Sequence, residues 1–328
     1  MEKFPLLRLK DEAMRNVILN MEFLDLFPFT LCSRKIKNIV KQQNLMKVVL
    51  DMTITTSYVE VYTTFYGDVN CFVFHHNETD EKQDMSDSRC EWIYDEDDED
   101  ELVDEEDSIY SMEIREYIDY IFDIFHLRKI YELSFRDGFR EYHFETIVKV
   151  LDGIEIQKFV YFIERPDEMD PTIFKTFLPT KQVGLYSKPT VNILQQNFDS
   201  LEFGHHYGPI ALDDLLTINS KQILIRGSSL AEKQLNRFIK SWIRGSSSRL
   251  EYLKILFGRN TLDENILMKR INCMKKEREF PMFDDILNEE IEPELLEGMD
   301  IRDKNGRLAS ILVKASADTV QFGFYIWT

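Results

Sequence analysis

FPLLRLKDEAMRNVILNMEFLDLFPFTLCSRKIKNIVK, residues 4–41, decides how this chain is read. Leu9, Ala13, Met14, Val17, Ile18 and Met21 recur at helical spacing, and Ile36, Ile39 and Val40 do so again beyond Ser33. A second apolar run, 23–31, lies between them. A segment of about 40 residues seldom buries enough surface to hold itself together. Apolar surface left over in so short a stretch points to a docking face for a partner.

Pro5-Leu6-Leu7, an apolar-periodic first helix, a short second helix and a basic third helix opened by Ser33-Arg34-Lys35 together resemble an F-box. The form resembles the F-box of the large nematode family that carries a type 2 F-box-associated domain. Lys10 stands where many F-boxes have proline. Pro28 falls in the second helix, where it is expected in the first turn or as a cause of shortening. The resemblance implies docking on the Skp-type adaptor of SCF ubiquitin ligases, and through it on a cullin-RING ligase. The adaptor-binding set it implies is Pro5, Leu6, Leu9, Met14, Val17, Ile18, Leu24, Leu26, Leu31 and Ile36, with Lys35, Lys37 and Lys41 as a basic rim.

The charge of the chain is unevenly spread. Residues 78–107 hold 17 acidic and 2 basic side chains, a balance of −15; subtracting it from the formal −19 leaves −4 for the rest. A block such as 95–101, DEDDEDE, repels itself, so 77–107 is expected to be a disordered acidic insertion. Trp92, inside it, is a candidate recognition element.

Around that insertion the periodicity changes. Residues 45–76 read as β structure: a short strand at 47–51, then alternating 58–65 and 69–75 joined at Gly67-Asp68. Residues 109–125 read as a helix with Ile114, Tyr117, Ile118, Ile121, Phe122 and Phe125 on one face. Strand candidates then begin near 130, 156, 182, 200, 222 and 252, several with a degenerate L-x-x-L-x-L such as Leu250/Leu253/Ile255. Periods of about 20–29 with that spacing favour an irregular leucine-rich-repeat-like stack over an ordinary α/β sheet. Ser229 with Glu232 and Thr261 with Glu264 read as capping boxes. Asn305-Gly306 reads as a hairpin turn, and Val320, Phe322, Phe324 and Ile326 as a final strand. Trp242 has core company in Phe238, Ile239 and Ile243.

The runs 210–219, 236–245 and 249–253, with the ending at 298–302, 305–306 and 324–327, are similar to the type 2 F-box-associated domain. The expected organisation is F-box at 1–44, β-hairpin region at 45–76, acidic insertion at 77–107 and F-box-associated α/β domain at 108–328. The fold class is α/β: a three-helix F-box, a β hairpin, and a repeat-like α/β domain ending in strands.

No apolar run approaches the roughly 18 residues of a membrane span. The start lacks the features of a secretory signal. Cysteines 32, 71, 90 and 273 show no C-x-x-C pairing. Cytoplasmic or nuclear location is expected. P-loop, G-x-G-x-x-G and G-x-S-x-G motifs are absent. His75-His76 and His205-His206, read as neighbours on strands, face opposite ways and so do not share a metal. The echo of EF-hand spacing at Asp95, Asp97, Glu99 and Glu106 lacks the turn glycine, which is Asp100. No catalytic residue, cofactor, metal, nucleic acid or membrane is expected. The expected function is a non-catalytic substrate-recognition subunit of an SCF-type ligase. The alternative is an acidic-loop chaperone or scaffold for basic partners.

Overall fold

The structure is a computed structural model that describes residues 9–45, 48–55, 58–75, 89–93, 113–136, 144–163, 170–177, 180–190, 192–258, 261–283, 290–316 and 319–327. The chain divides into two compact units, 1–157 and 158–328.

The first unit opens with α1 (Asp11–Leu19), α2 (Phe23–Leu31) and α3 (Arg34–Gln42). The Ser33 hydroxyl caps α3 by accepting the Ile36 N–H at 3.3 Å. Pro28 lies inside α2, which runs on to Leu31; it neither starts the helix nor cuts it short. Strands β1 (Val48–Ile54), β2 (Tyr58–Phe65), β3 (Asp68–His75), β4 (Arg89–Ile93) and β5 (Lys129–Arg136) follow, with α4 (Ile114–Phe125) between the last two and α5 (Phe144–Val150) after them. Their order is β5-β1-β2-β3-β4, antiparallel except for β5 on β1. The β2–β3 turn is Tyr66-Gly67, both at positive φ, one residue earlier than Gly67-Asp68. Residues 89–93 were expected to be disordered, yet they form β4 and pair with β3. The charge of the surrounding block misleads there, because RCEWI itself carries one acid and one base.

Aromatic packing fixes the three helices to these strands. Phe23 and Phe27 of α2 are buried and meet Phe72 of β3 at 6.1 and 5.5 Å, and Phe27 meets Tyr117 of α4 at 5.4 Å. Burying such rings contributes about 1.5–3 kcal/mol each. Part of the apolar surface of residues 4–41 is thus covered by the chain's own strands and α4. Lys37 and Lys41 of α3 both pair with Asp123 of α4, and the Lys37 ammonium stands 4.0 Å from the Tyr120 ring centre.

The second unit begins within β6 (Glu155–Phe162) and continues through α6 (Asp170–Phe177), β7 (Gln182–Leu185), β8 (Ser200–Phe203), α7 (Leu212–Thr217), β9 (Gln222–Arg226), α8 (Glu232–Ile243), β10 (Tyr252–Phe257) and α9 (Glu264–Leu267). Each of β6 to β10 lies parallel beside the next, which is the order a repeat-like stack requires. The unit ends in β11 (Met274–Phe283), β12 (Glu290–Arg302), β13 (Leu308–Ala315) and β14 (Val320–Trp327), an antiparallel set joined through β14 to β10.

Two helix starts differ from the sequence reading. The N-cap of α8 is Ala231, whose N–H reaches the Gln234 side chain at 2.8 Å. The N-cap of α9 is Asp263, which accepts from Asn265 and Ile266, and that helix is a single turn. In both places a later residue supplies the local acceptor, so the earlier Ser229 and Thr261 are bypassed.

Helices meet the sheet on one identifiable face. Phe174 of α6 packs on Phe159 and Tyr161, and Phe238 and Trp242 of α8 pack on Phe324. Alternation then assigns Val183, Leu201, Ile223 and Leu253 to the same buried face. Lys158, Glu202, Arg226, Lys254, Tyr252 and Tyr325 belong to the opposite one.

Candidate functional site

Two surfaces are candidates: the helices α1 to α3, and the face of the second unit turned away from α6 and α8.

On α1 to α3, burial sorts the ten expected docking residues. Met14, Ile18, Leu26 and Ile36 are buried. They pack within the chain, where burial leaves them little surface for a partner. Leu9, Val17, Leu24 and Leu31 are half-buried and keep apolar surface toward solvent. Pro5 and Leu6 lie outside the described residues. Of the basic rim, Lys35 is exposed, whereas Lys37 and Lys41 are engaged by Asp123. Those two hydrogen-bonded ammonium groups hold the Asp123 carboxyl below its ordinary pKa.

On the second unit, Glu202 is the hub. Its carboxylate accepts from Arg226 Nε at 2.9 Å and from the Tyr186 hydroxyl at 3.1 Å, with the Lys158 ammonium 3.3 Å away. Burial alone would raise its pKa, but Lys158, Arg226 and Tyr186 outweigh that and hold it below the ordinary value. Burial, and then the Glu202 charge, push the Tyr186 phenol up. Beside this group the sheet carries rings. Tyr325 lies 4.8 Å from Tyr252 and 4.8 Å from Phe280, and Trp327 lies 5.8 Å from Phe280. Arg278 grips Asp300 with two nitrogens at 2.9 and 2.6 Å while standing 5.4 Å from the Trp327 ring. Ser310 donates to Asp300 and accepts from Trp327 Nε1.

Glycines make room for these rings. A Cβ at Gly204 would strike Tyr186, one at Gly323 would strike Tyr325, and one at Gly298 would strike Phe280. Sequence reasoning missed this surface, since its residues come from strands far apart in the chain. A glycine two residues from an aromatic inside a strand, as in Gly323 and Tyr325, was the available signal.

Other expected groups fall apart. His205 and His206 lie in a 3-10 turn and not on a strand, and both are exposed. The side chains of His75, His76 and Trp92, and the 95–106 acids, lie outside the described residues. Among the described residues no three His, Cys, Asp or Glu side chains form a metal-holding group, and no helix is long and apolar enough to cross a membrane. Trp242, on α8, is fully buried against the sheet, as its helical neighbours suggested.

Comparison with known families agrees with this layout. Residues 6–47 match the F-box domain family, and residues 191–255 match the F-box associated family. Over these two segments the chain is similar to F-box proteins that carry an F-box-associated segment. A curated relative, the F-box associated domain-containing protein sdz-33 of Caenorhabditis elegans, is 31% identical over 107 residues, covering 31% of this chain and 35% of the relative. The chain thus spans about a third of the length of the curated relative it matches. No solved structure matches. The 191–255 match contains β8, β9 and the first part of β10, and with them Glu202, Arg226 and Lys254.

Proposed function

We propose that this protein is a non-catalytic substrate-recognition subunit of an SCF-type ubiquitin ligase. Its F-box docks on a Skp-type adaptor, and through that on a cullin-RING ligase, in the cytoplasm or nucleus. Its second unit binds a protein target. The observation that carries this reading is an F-box domain at 6–47 on the same chain as an F-box-associated segment at 191–255.

Such a protein needs no reacting group. It acts by holding target and ubiquitin-charged enzyme on one frame, which raises their effective concentration. Within the F-box, Leu9, Val17, Leu24 and Leu31 are the described members of the docking set, continuing into Pro5 and Leu6. A standard interface of about 1,600 Å² usually rests on a few such central residues. The test is co-purification of the full chain with the adaptor and cullin, followed by an ubiquitylation assay on captured targets. A chain that folds but fails to capture adaptor overturns the proposal.

A further inference from the structure

The loop between α8 and β10 gathers cations in a chain whose formal net charge is −19. It reads Arg244-Gly245-Ser246-Ser247-Ser248-Arg249, and the turn between β12 and β13 lies against it. The Lys304 N–H donates to the Ile243 carbonyl at 2.9 Å, and the Lys304 ammonium nitrogen lies 2.9 Å from where a Cβ on Gly245 would stand. Arg307 donates to the Ser248 carbonyl at 2.9 Å. Two acids beside the loop are already engaged: Asp303 holds Arg307, and Asp199 holds Lys221 and stands 4.0 Å from Arg249. Glu251, exposed at the start of β10, has no ion pair among the described residues. Arg244 and Lys304 are also exposed and without an ion pair among the described residues, so their charge is to spare. The serines of the loop differ in access. Ser246 Oγ bonds Ser241 Oγ at 3.0 Å and Ser247 Oγ is buried, whereas Ser248 is exposed and its hydroxyl bonds nothing among the described residues.

We propose that Ser248 is a phosphorylation site whose phosphate is held by Arg244 and Lys304. In the modification Ser248 Oγ attacks the γ-phosphorus of ATP and the bond from that phosphorus to the β–γ bridging oxygen breaks. ADP leaves, and the hydroxyl proton passes to the base of the protein kinase bound to the loop. Arg244 and Arg249, on either side of the serines, give the loop the charge that a kinase with an acidic substrate groove selects. The phosphate carries about −1.5 to −2 charge at pH 7, enough for one to three charge-assisted hydrogen bonds to such cations. The dipole of α8 opposes a phosphate at its C-terminus, but that field falls off within the last turn. Ser248 lies beyond that turn, and the last α8 carbonyls already accept from the N–H groups of Arg244, Gly245, Ser246 and Lys304. The nearby cations therefore outweigh the dipole, and the phosphate fastens the α8–β10 connection to the β12–β13 turn.

The test has two arms, both on the full-length chain. In the first, the chain is expressed in cultured animal cells with phosphatases inhibited, and phosphate is mapped by mass spectrometry of the peptide that spans the loop. Phosphate is expected on Ser248 and is expected to vanish in Ser248→Ala. A loop without phosphate overturns the proposal, and so does phosphate on Ser246 or Ser247 in place of Ser248. In the second arm, phosphoserine is built in at position 248 during synthesis, and the melting temperature is compared with that of the unmodified chain. It is expected to rise by about 2–4 °C, and by less as salt rises. The rise should disappear when Arg244→Gln and Lys304→Gln are combined with the phosphoserine. An unchanged or lowered melting temperature overturns the holding role, and that comparison on the otherwise wild-type chain stands even if the double variant misfolds. A rise that survives in the folded double variant also overturns it. Neither arm depends on adaptor capture, so its outcome is separate from that of the receptor reading.

Discussion

Tyr186 lays its ring across Gly204, so closely that a Cβ at position 204 would stand 2.2 Å from Tyr186 Cδ1. The obstacle is a ring whose hydroxyl is tied to Glu202 at 3.1 Å, so moving it also disturbs the charged group. Gly204→Ala is therefore expected to destabilise the second unit by about 1–3 kcal/mol, the usual cost of overpacking. Urea unfolding of the variant measures it. Tyr186→Ala in the same chain should relieve the clash, so the double variant should lose less than the sum of the single ones.

Glu202→Gln removes the carboxylate between Lys158 and Arg226 and leaves both cations on a buried surface. Breaking a buried pair in this way costs about 3–5 kcal/mol. The same group predicts a pH dependence. The folded carboxyl titrates below its ordinary value, so the stability it contributes is complete above the unfolded pKa and is lost as pH falls through the lower folded one. Thermal melts of wild type and Glu202→Gln across the acid range should converge as pH falls. Parallel curves would reject the assignment of this charge.

The F-box separates two kinds of variant. Phe27 is 1% exposed between Phe72 and Tyr117, and Phe27→Ala should cost about 3–5 kcal/mol. It should lose adaptor capture only by unfolding the first unit. Val17→Ala with Leu24→Ala removes half-buried surface, and should lose capture with a smaller loss of stability. Capture retained by that double variant would move the docking surface elsewhere.

Much of this architecture is legible in the sequence because alternation and helical spacing report burial. The strands at 129, 155, 182, 200, 222 and 252 begin within one residue of the positions read from the repeat. β11 was not legible: MKKEREFPMF places charges at five consecutive positions and a proline near its end, as an edge strand does to discourage pairing with other chains. Its buried Phe280 depends on Gly298 in β12, a contact no local pattern contains. Likewise the apolar residues of α2 read as a docking face, since nothing in 4–41 shows that β3 and α4 would cover Phe23 and Phe27.

The final prediction concerns the acidic run. Its acids at 95–107 follow β4, and the F-box helices and the second unit lie outside it in sequence. If the chain works as a receptor, both binding functions belong to those folded parts, and the gain in ubiquitylation comes from joining them. Deleting 94–107 should then preserve adaptor capture and target turnover. Target half-life is to be measured with wild type, the deletion, and the Val17→Ala, Leu24→Ala double variant. The expected order is rapid turnover in the first two and a stable target in the third. Turnover lost with the deletion but kept in the double variant would reject the ligase reading and favour an acidic chaperone acting on basic partners.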